Sequence, residues 1–218
     1  MEHALVDVRR WLAGILFPSH CLVCEAMGPW LCVACAAKLE PAQRIRAEDL
    51  GIVGARFVFA SGPYHDPVLR ACVHALKYQG VFAAEEAYRL LLERLPFCGA
   101  GYDAIVPLPA APHRVLERGF DQAVLLVRWL SERSGAPCIE ALVRRSGSEV
   151  AQATLEDEAL RRANVAGAFW RRADVALGPR ILLVDDVVTT GATVRAAVDA
   201  LRADGAEIDV ACLALGKG

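Results

Sequence analysis

The stretch Ile181-Leu-Leu-Val-Asp-Asp-Val-Val-Thr-Thr-Gly-Ala-Thr193 decides how the rest of this chain is interpreted. Its first four residues are apolar without alternation, which is typical of a strand buried on both faces of a parallel sheet. Two acids then end the apolar run, and a turn rich in hydroxyls and glycine leads into an apolar-periodic segment. We therefore predict a strand over 180–186 and a helix over 190–204, ended by Gly205.

The turn between this strand and helix suits a phosphorylated sugar. A helix N-terminus presents unpaired N–H groups and the positive end of the helix dipole, so an anionic phosphate is stabilised there. Gly191 lets the backbone approach a ligand closely, and Asp185 and Asp186 can accept hydrogen bonds from a sugar diol. Ligands of open α/β sheets bind at this carboxyl edge. Three threonines add hydroxyl donors: Thr189, Thr190 and Thr193.

Two other classes of phosphate-handling protein are excluded. A response-regulator receiver also carries an acidic pair after an apolar strand, but near the start of its domain. Here only about thirty residues follow the pair, roughly a quarter of such a domain. A Walker-type nucleotide loop is absent, because no Gly-Lys-Ser/Thr sequence occurs.

Outward from this segment, strands and helices alternate. We predict strands at 56–64, 103–109, 138–143 and 207–215, and helices at 67–78, 82–95 and 118–133. Strands separated by helices indicate an α/β sheet. A further helix is predicted at 4–16, ended by Pro18, and a polar stretch occupies 40–49. We place a domain boundary near residue 50, giving an N-terminal unit, 1–50, and a main domain, 51–218.

The N-terminal unit carries two Cys-x-x-Cys turns separated by seven residues, Cys21 to Cys24 and Cys32 to Cys35. Each turn can direct two thiolates at one point, and zinc best fits four sulfurs in a tetrahedral shell. Because the four cysteines fill that shell, we predict a structural zinc site with no open position. Two pairs of buried thiols, or a redox dithiol, fit the paired spacing less well.

Composition limits the remaining classes. The 218 residues are 55% hydrophobic, which indicates a globular core. Their formal net charge of -2 argues against a protein that coats nucleic acid without sequence preference. No apolar run reaches the roughly 20 residues of a membrane-spanning helix, so no membrane insertion is expected. The N-terminus lacks the layout of a secretory peptide. We therefore expect a cytoplasmic protein whose eight cysteines are thiols or metal ligands.

The segment 181–193 resembles the signature of phosphoribosyltransferases, which bind phosphoribosyl pyrophosphate (PRPP). Other landmarks resemble one branch of these proteins, the ComF family, nearly throughout the chain from residue 4. They are the two cysteine turns, Leu76-Lys-Tyr-Gln-Gly80, Val106-Pro-Leu-Pro109, Arg118-Gly-Phe-Asp-Gln122, Gln152-x-x-Leu155, Arg161-x-x-Asn164 and Gly167-Ala-Phe169. The resemblance implies a type I phosphoribosyltransferase-like parallel sheet flanked by helices, with a small N-terminal zinc ribbon.

The resemblance also implies roles for individual residues. Asp185 and Asp186 would be the catalytic carboxylates that hold the ribose diol, and the loop after Pro109 would face the pyrophosphate and its Mg2+. The residues expected to bind PRPP are Asp185, Asp186, Val187, Thr189, Thr190, Gly191, Ala192, Thr193, Arg114 and Arg118. Two departures from the family pattern, Asp121 and Glu149, would add negative charge near this anion site.

Several residues keep two interpretations. Arg114 and Arg118 are either a clamp for pyrophosphate or solvated charge near a helix start. Lys77 either ends a helix, where a cation suits the dipole, or faces substrate. Three residues are candidates for a hood over the site: Gln152, Arg161 and Asn164. Three arginine pairs are either exposed charge or a groove for single-stranded DNA: 144–145, 161–162 and 171–172.

Two functions follow from the resemblance. In the first, the protein is an enzyme that transfers ribose-5-phosphate from Mg2+-bound PRPP to an unidentified acceptor and releases pyrophosphate. In the second, it is a non-enzymatic accessory of DNA uptake in natural transformation, and the fold binds PRPP, single-stranded DNA or a DNA-uptake helicase. PRPP binding that depends on the acid pair would support the first function, and salt-sensitive binding of DNA would support the second.

Overall fold

The computed structural model describes residues 19–78, 85–96, 101–145, 167–202 and 205–216. It has seven strands in this part of the chain: β1 Gln43–Arg46, β2 Phe57–Pro63, β3 Ala104–Pro107, β4 Leu142–Arg144, β5 Phe169–Arg171, β6 Arg180–Val188 and β7 Glu207–Leu215. Five of them form one sheet in the order β1-β2-β7-β6-β3. Strands β2, β7, β6 and β3 are parallel, and β1 pairs antiparallel with β2 at the edge. Strands β4 and β5 form a separate antiparallel ribbon.

The described helices are α1 Val33–Ala36, α2 Pro67–Tyr78, α3 Glu85–Glu93, α4 Pro112–Arg118, α5 Gln122–Ser134 and α6 Ala192–Leu201, with a 3₁₀ turn at Ala47–Leu50. Helices cover both faces of the sheet. On β6, Leu182 and Val184 pack in one core with the apolar faces of α2, α3 and α5. Ile181 and Leu183 pack in a second core with α6. This double coverage explains the unbroken apolar run of β6 and confirms the predicted α/β class.

The cysteine segment packs against the main core. Cys21, Leu31 and Cys35 are buried in the same cluster as Leu69 and Leu76 of α2. Burial of this apolar surface ties the cysteine segment to α2. The boundary near residue 50 stays a prediction.

A single buried carboxylate also links the segment after the cysteines to α2. Asp66, 1% exposed, accepts hydrogen bonds from the backbone N–H groups of Val68 and Leu69 at the start of the helix. Its other oxygen accepts from the N–H of Glu40, at 2.7 Å. One side chain therefore caps the helix and fixes the incoming chain beside it.

The helix predicted at 118–133 is confirmed from residue 122 onward, but it begins four residues later than predicted, and the short helix before it, α4, was not predicted. Helix α4 ends at Gly119, whose φ of 79° is left-handed, and α5 begins at Gln122 after the cap Asp121. The strand expected at 138–143 lies later, at β4, although Cys138 forms an isolated bridge with Ile105. The stretch read as polar, 40–49, contains strand β1. The predicted helix 4–16 lies outside the described residues, as do Glu149, Gln152, Arg161 and Asn164.

Candidate functional site

A cleft of about 340 Å³ lies at the carboxyl ends of β3 and β6. Parallel strands bring their following loops together at this edge, so residues distant in sequence meet here. Seven residues predicted for the site line the cleft: Asp185, Asp186, Val187, Thr189, Thr193, Arg114 and Arg118. The loop after β3, 108–111, forms another wall. Three predicted residues do not line it: Thr190 is exposed, Gly191 is buried, and Ala192 is half-buried at the start of α6.

The acid pair is held in two different environments. Asp185 accepts a hydrogen bond from the N–H of Asp186 at 2.8 Å, and Asp186 pairs with Lys77 through Oδ2 and Nζ at 3.0 Å. Burial and the neighbouring Asp186 carboxylate raise the pKa of Asp185 well above its usual range. One carboxylate is therefore neutralised by a cation, while the other holds a proton more readily.

Lys77 belongs to the cleft. Helix α2 carries it to the edge of the sheet, and only 22% of its side chain is exposed, beside 16% for Asp186. A lysine placed only to suit the helix dipole would need no such partner. Of the two interpretations left open by the sequence, this geometry favours the one that faces substrate.

The turn before α6 is fixed by a glycine that no other residue can replace without strain. Gly191 has φ 69° and caps α6. A Cβ at this position would lie 2.8 Å from Cγ1 of Ile52 and 3.0 Å from its Cδ1. On the other side of the turn, the N–H of Gly216 donates to the Val188 carbonyl at 2.7 Å. The backbone that would meet a phosphate is therefore held from both sides.

Buried donors face the cleft from the opposite wall. Arg118 donates through Nη1 to Oε1 of Gln122 at 2.9 Å. The Nε of Arg118 and the Nε2 of Gln122, which is 3% exposed, are buried without a hydrogen-bond partner among the described residues. Buried donors are nearly always satisfied in folded proteins. Both residues line the cleft, so oxygen atoms of an anionic ligand fit these positions.

Asp121 lines the cleft, so its carboxylate lies near the anion site as the sequence suggested. Its two carboxylate oxygens accept hydrogen bonds from backbone N–H groups, one from Ala110 at 2.8 Å and the other from Ala123 at 2.9 Å. The side chain therefore caps α5 and fixes the loop after β3 against it. Its charge is partly satisfied by these two amides, and its role in the cleft is to position the wall.

Sequence reasoning did not identify four residues that line the cleft: Tyr64, Gln122, Ala123 and Arg144. Tyr64 directly follows β2, so the rule that ligands bind at carboxyl ends could have found it. Gln122 begins α5 just after the break at Gly119, and this break brings its side chain to Arg118. No signal in the sequence separated Arg144 from its exposed neighbour Arg145.

The four cysteines have the geometry of a metal site. Their sulfur atoms all lie within 4.8 Å of one another, and those of Cys24 and Cys32 are 3.7 Å apart. A tetrahedral zinc with bonds of about 2.3 Å would separate its sulfurs by about 3.8 Å, so the cluster fits this ion. Burial raises the pKa of Cys21, but hydrogen bonds from the amides of Cys32, Cys24 and Val23 outweigh it and lower the pKa to about 6, whereas burial and the neighbouring thiols raise the pKa of Cys35 to about 12. A thiolate at neutral pH is the form that binds metal.

Comparisons with known proteins agree with this site. A family model described as phosphoribosyl transferase domain matches residues 140–218, which include the acid pair and the turn. Competence protein F of Haemophilus influenzae is 33% identical over 162 residues, which are 73% of this chain and 65% of that protein. The chain thus spans slightly less than two thirds of this relative.

Two further relatives carry related names. DNA utilization protein YhgH of Salmonella typhi is 33% identical over 157 residues, 68% of each chain. Competence protein ComFC of Bacillus subtilis is 32% identical over 111 residues, 51% of this chain and 43% of that protein. Among the described residues, no helix is both long enough and apolar enough to cross a membrane.

Proposed function

This chain belongs to the ComF family, and we propose that it binds PRPP with Mg2+ in the cleft and transfers ribose-5-phosphate to an acceptor. The observation that carries the proposal is the meeting of an acid pair, a glycine turn before a helix and buried cationic donors in one cavity. A sugar that carries both a phosphate and a pyrophosphate has a group to match each of these three features. We further propose a cytoplasmic location, where the cysteine thiols stay reduced.

Each wall of the cleft suits one part of PRPP. Asp185 and Asp186 would accept hydrogen bonds from the ribose hydroxyls, and the raised pKa of Asp185 keeps it suited to neutral partners. The turn 187–193 would bind the 5′-phosphate through backbone N–H groups and the hydroxyls of Thr189 and Thr193. Arg118, with Gln122 beside it, would bind the pyrophosphate, and Arg114 lines the same side.

In the reaction, the bond between the ribose C1 and pyrophosphate breaks, and pyrophosphate leaves with the electron pair. The acceptor forms the new bond to C1 and loses its proton to water. The residues described contribute by fixing the ribose and by placing positive charge where the leaving group develops negative charge. Mg2+ bound to phosphate oxygens would supply further charge stabilisation.

The test is calorimetric titration of PRPP into two arginine variants. Arg118→Met removes a donor to pyrophosphate, and a hydrogen bond to a charged group is worth about 1.5–3 kcal/mol, so we expect a Kd raised by roughly 10- to 150-fold. Arg128→Met is the matched control, since Arg128 is exposed on α5 and does not line the cleft. Equal affinities for the two variants would show that pyrophosphate does not bind at Arg118.

A second candidate function is binding of single-stranded DNA; one relative is named a DNA utilization protein. The β4–β5 ribbon supports it, because Arg145 lies over the ring of Trp170 at 5.7 Å and Trp170 is 43% exposed. Aromatic rings that stack bases, flanked by arginines, are typical of single-strand binding. We expect salt-sensitive fluorescence anisotropy with an oligonucleotide, weakened by Trp170→Ala. DNA binding that is independent of salt and unchanged in Trp170→Ala would exclude the ribbon as the DNA-binding surface. A helicase partner stays a prediction.

A further inference from the structure

A second cavity, of about 560 Å³, adjoins the cleft between the cysteine segment and helix α2. We call it the knuckle groove; it is lined by Leu22, Tyr64, Arg70, His74, Lys77 and Tyr78, among others. Tyr64 and Lys77 line both the groove and the cleft, so the two cavities meet at these side chains. Leu22 lies inside the first Cys-x-x-Cys turn, so that turn supplies one wall.

The groove uses the face of α2 that the core does not use. Arg70, His74, Lys77 and Tyr78 are spaced by four, three and one residues and share one side of the helix. The other side is buried against the sheet. A solvent-facing helix side normally mixes acidic and basic residues. Among the described residues that line the groove none is acidic and two are basic, Arg70 and Lys77, the second of which pairs with Asp186 in the cleft.

The groove also offers aromatic surface. The rings of His74 and Tyr78 lie 4.7 Å apart at an interplanar angle of 42°, and Tyr78 is 67% exposed. An exposed tyrosine beside a histidine gives a planar heterocycle a face on which to stack. The exposed guanidinium of Arg70, one turn before His74, suits a phosphate. Aromatic base and phosphate together describe a nucleotide.

We propose that the knuckle groove binds a nucleotide, and that this nucleotide is the acceptor class for the ribose held in the cleft. The acceptor role rests on the proposed function, whereas binding in the groove does not. The cavity is within the range of roughly 300–1,000 Å³ found for small-molecule sites. A ring nitrogen or hydroxyl of the bound nucleotide forms the bond to the ribose C1. Pyrophosphate leaves with the electron pair of the broken bond, and the nucleophile's proton passes to water.

The experiment titrates the full-length protein with the fluorescent nucleotide 1,N6-etheno-AMP and its nucleoside, with and without saturating Mg2+-PRPP. We expect His74→Ala to raise the Kd for the nucleotide by about 5- to 150-fold, the range for one stacked base. Arg70→Ala should weaken binding of the nucleotide but leave binding of the nucleoside unchanged. Neither variant should change PRPP affinity by more than about twofold, because neither residue lines the cleft.

The control variants separate the groove from the rest of the molecule. The double variant Asp185→Ala with Asp186→Ala should lose PRPP binding and retain nucleotide binding. The variant Trp170→Ala should retain binding of both ligands. Displacement of etheno-AMP by PRPP, or its loss in the double variant, would place the nucleotide in the cleft and overturn the inference. The inference would also be overturned if nucleotide binding were lost only in Trp170→Ala, or if the wild type did not bind the nucleotide. If the nucleotide binds as expected while PRPP does not bind, the proposed function is wrong, but the assignment of the groove as a nucleotide-binding site stands.

Discussion

Replacing Gly191 by alanine tests whether the phosphate turn is as tightly built as its geometry indicates. Gly191 combines two constraints, a left-handed φ of 69° and a neighbour, Ile52, that a Cβ would approach to 2.8 Å. Gly135, which ends α5, shares the first constraint with φ 74° but has no heavy atom within 4 Å of the same Cβ position. The two glycines therefore form a matched pair.

The expected magnitudes follow from these two constraints. A left-handed conformation costs an alanine about 1–2 kcal/mol, and overpacking a filled core costs about 1–3 kcal/mol more. Gly191→Ala should therefore lower the free energy of unfolding by about 2–5 kcal/mol, and Gly135→Ala by only about 1–2 kcal/mol. The entropy that alanine removes from the unfolded chain is common to both and cancels in the comparison.

Urea unfolding with linear extrapolation measures both free energies, and an unchanged m-value shows that the unfolded states are comparable. The same samples should differ in ligand binding, because moving the turn displaces the N–H groups that would meet the 5′-phosphate. We expect weakened PRPP binding in Gly191→Ala alone. Equal losses of unfolding free energy in the two variants would refute the argument that Ile52 closes the turn.

Two further predictions concern stability. Asp185→Asn should raise the free energy of unfolding at neutral pH while weakening PRPP binding. Folding raises the pKa of Asp185 above its ordinary 3.8, so between the unfolded and the folded pKa the folded state binds a proton that the unfolded state has lost. The stability of the wild type therefore falls as pH rises through this range. Melting curves between about pH 4 and 8 should show this fall in the wild type and a smaller one in the variant; parallel curves would contradict it. Removing metal from the four cysteines should lower the free energy of unfolding by several kcal/mol, a part of the roughly 10–16 kcal/mol of isolated zinc-finger peptides. The measurement is zinc content with a melting curve before and after chelation, and a protein that contains zinc but melts unchanged without it would exclude a structural role.

The elements that the sequence predicted well are those whose signals are local. Strand β7 was predicted at 207–215 and helix α2 at 67–78, and both are confirmed. In α2, a proline begins the helix and apolar residues recur at helical spacing. In β6, the apolar run alone indicated burial on both faces. The start of α5 also had a local signal, Gly119 followed by the cap Asp121, but the predicted helix began at Arg118, which is the last residue of α4.

The parts of the site that could not be predicted depend on the order of strands in the sheet. Lys77 reaches Asp186 because α2 follows β2, which β7 alone separates from β6. Arg144 lines the cleft because the β4–β5 ribbon folds beside it, and nothing in 140–145 encodes that placement. The sequence identified the segment 185–193, and the resemblance added Arg114, Arg118 and the loop after Pro109; the fold supplies Tyr64 and Arg144.

The most direct test of the account is calorimetric titration of the zinc-loaded protein with PRPP, with and without Mg2+. We predict Mg2+-dependent binding at one site. In Asp185→Ala with Asp186→Ala, the loss of two hydrogen bonds to charged groups should weaken it by roughly two to four orders of magnitude. Absence of binding to the wild type, or equal affinity in the double variant, would contradict the assignment of the cleft to PRPP.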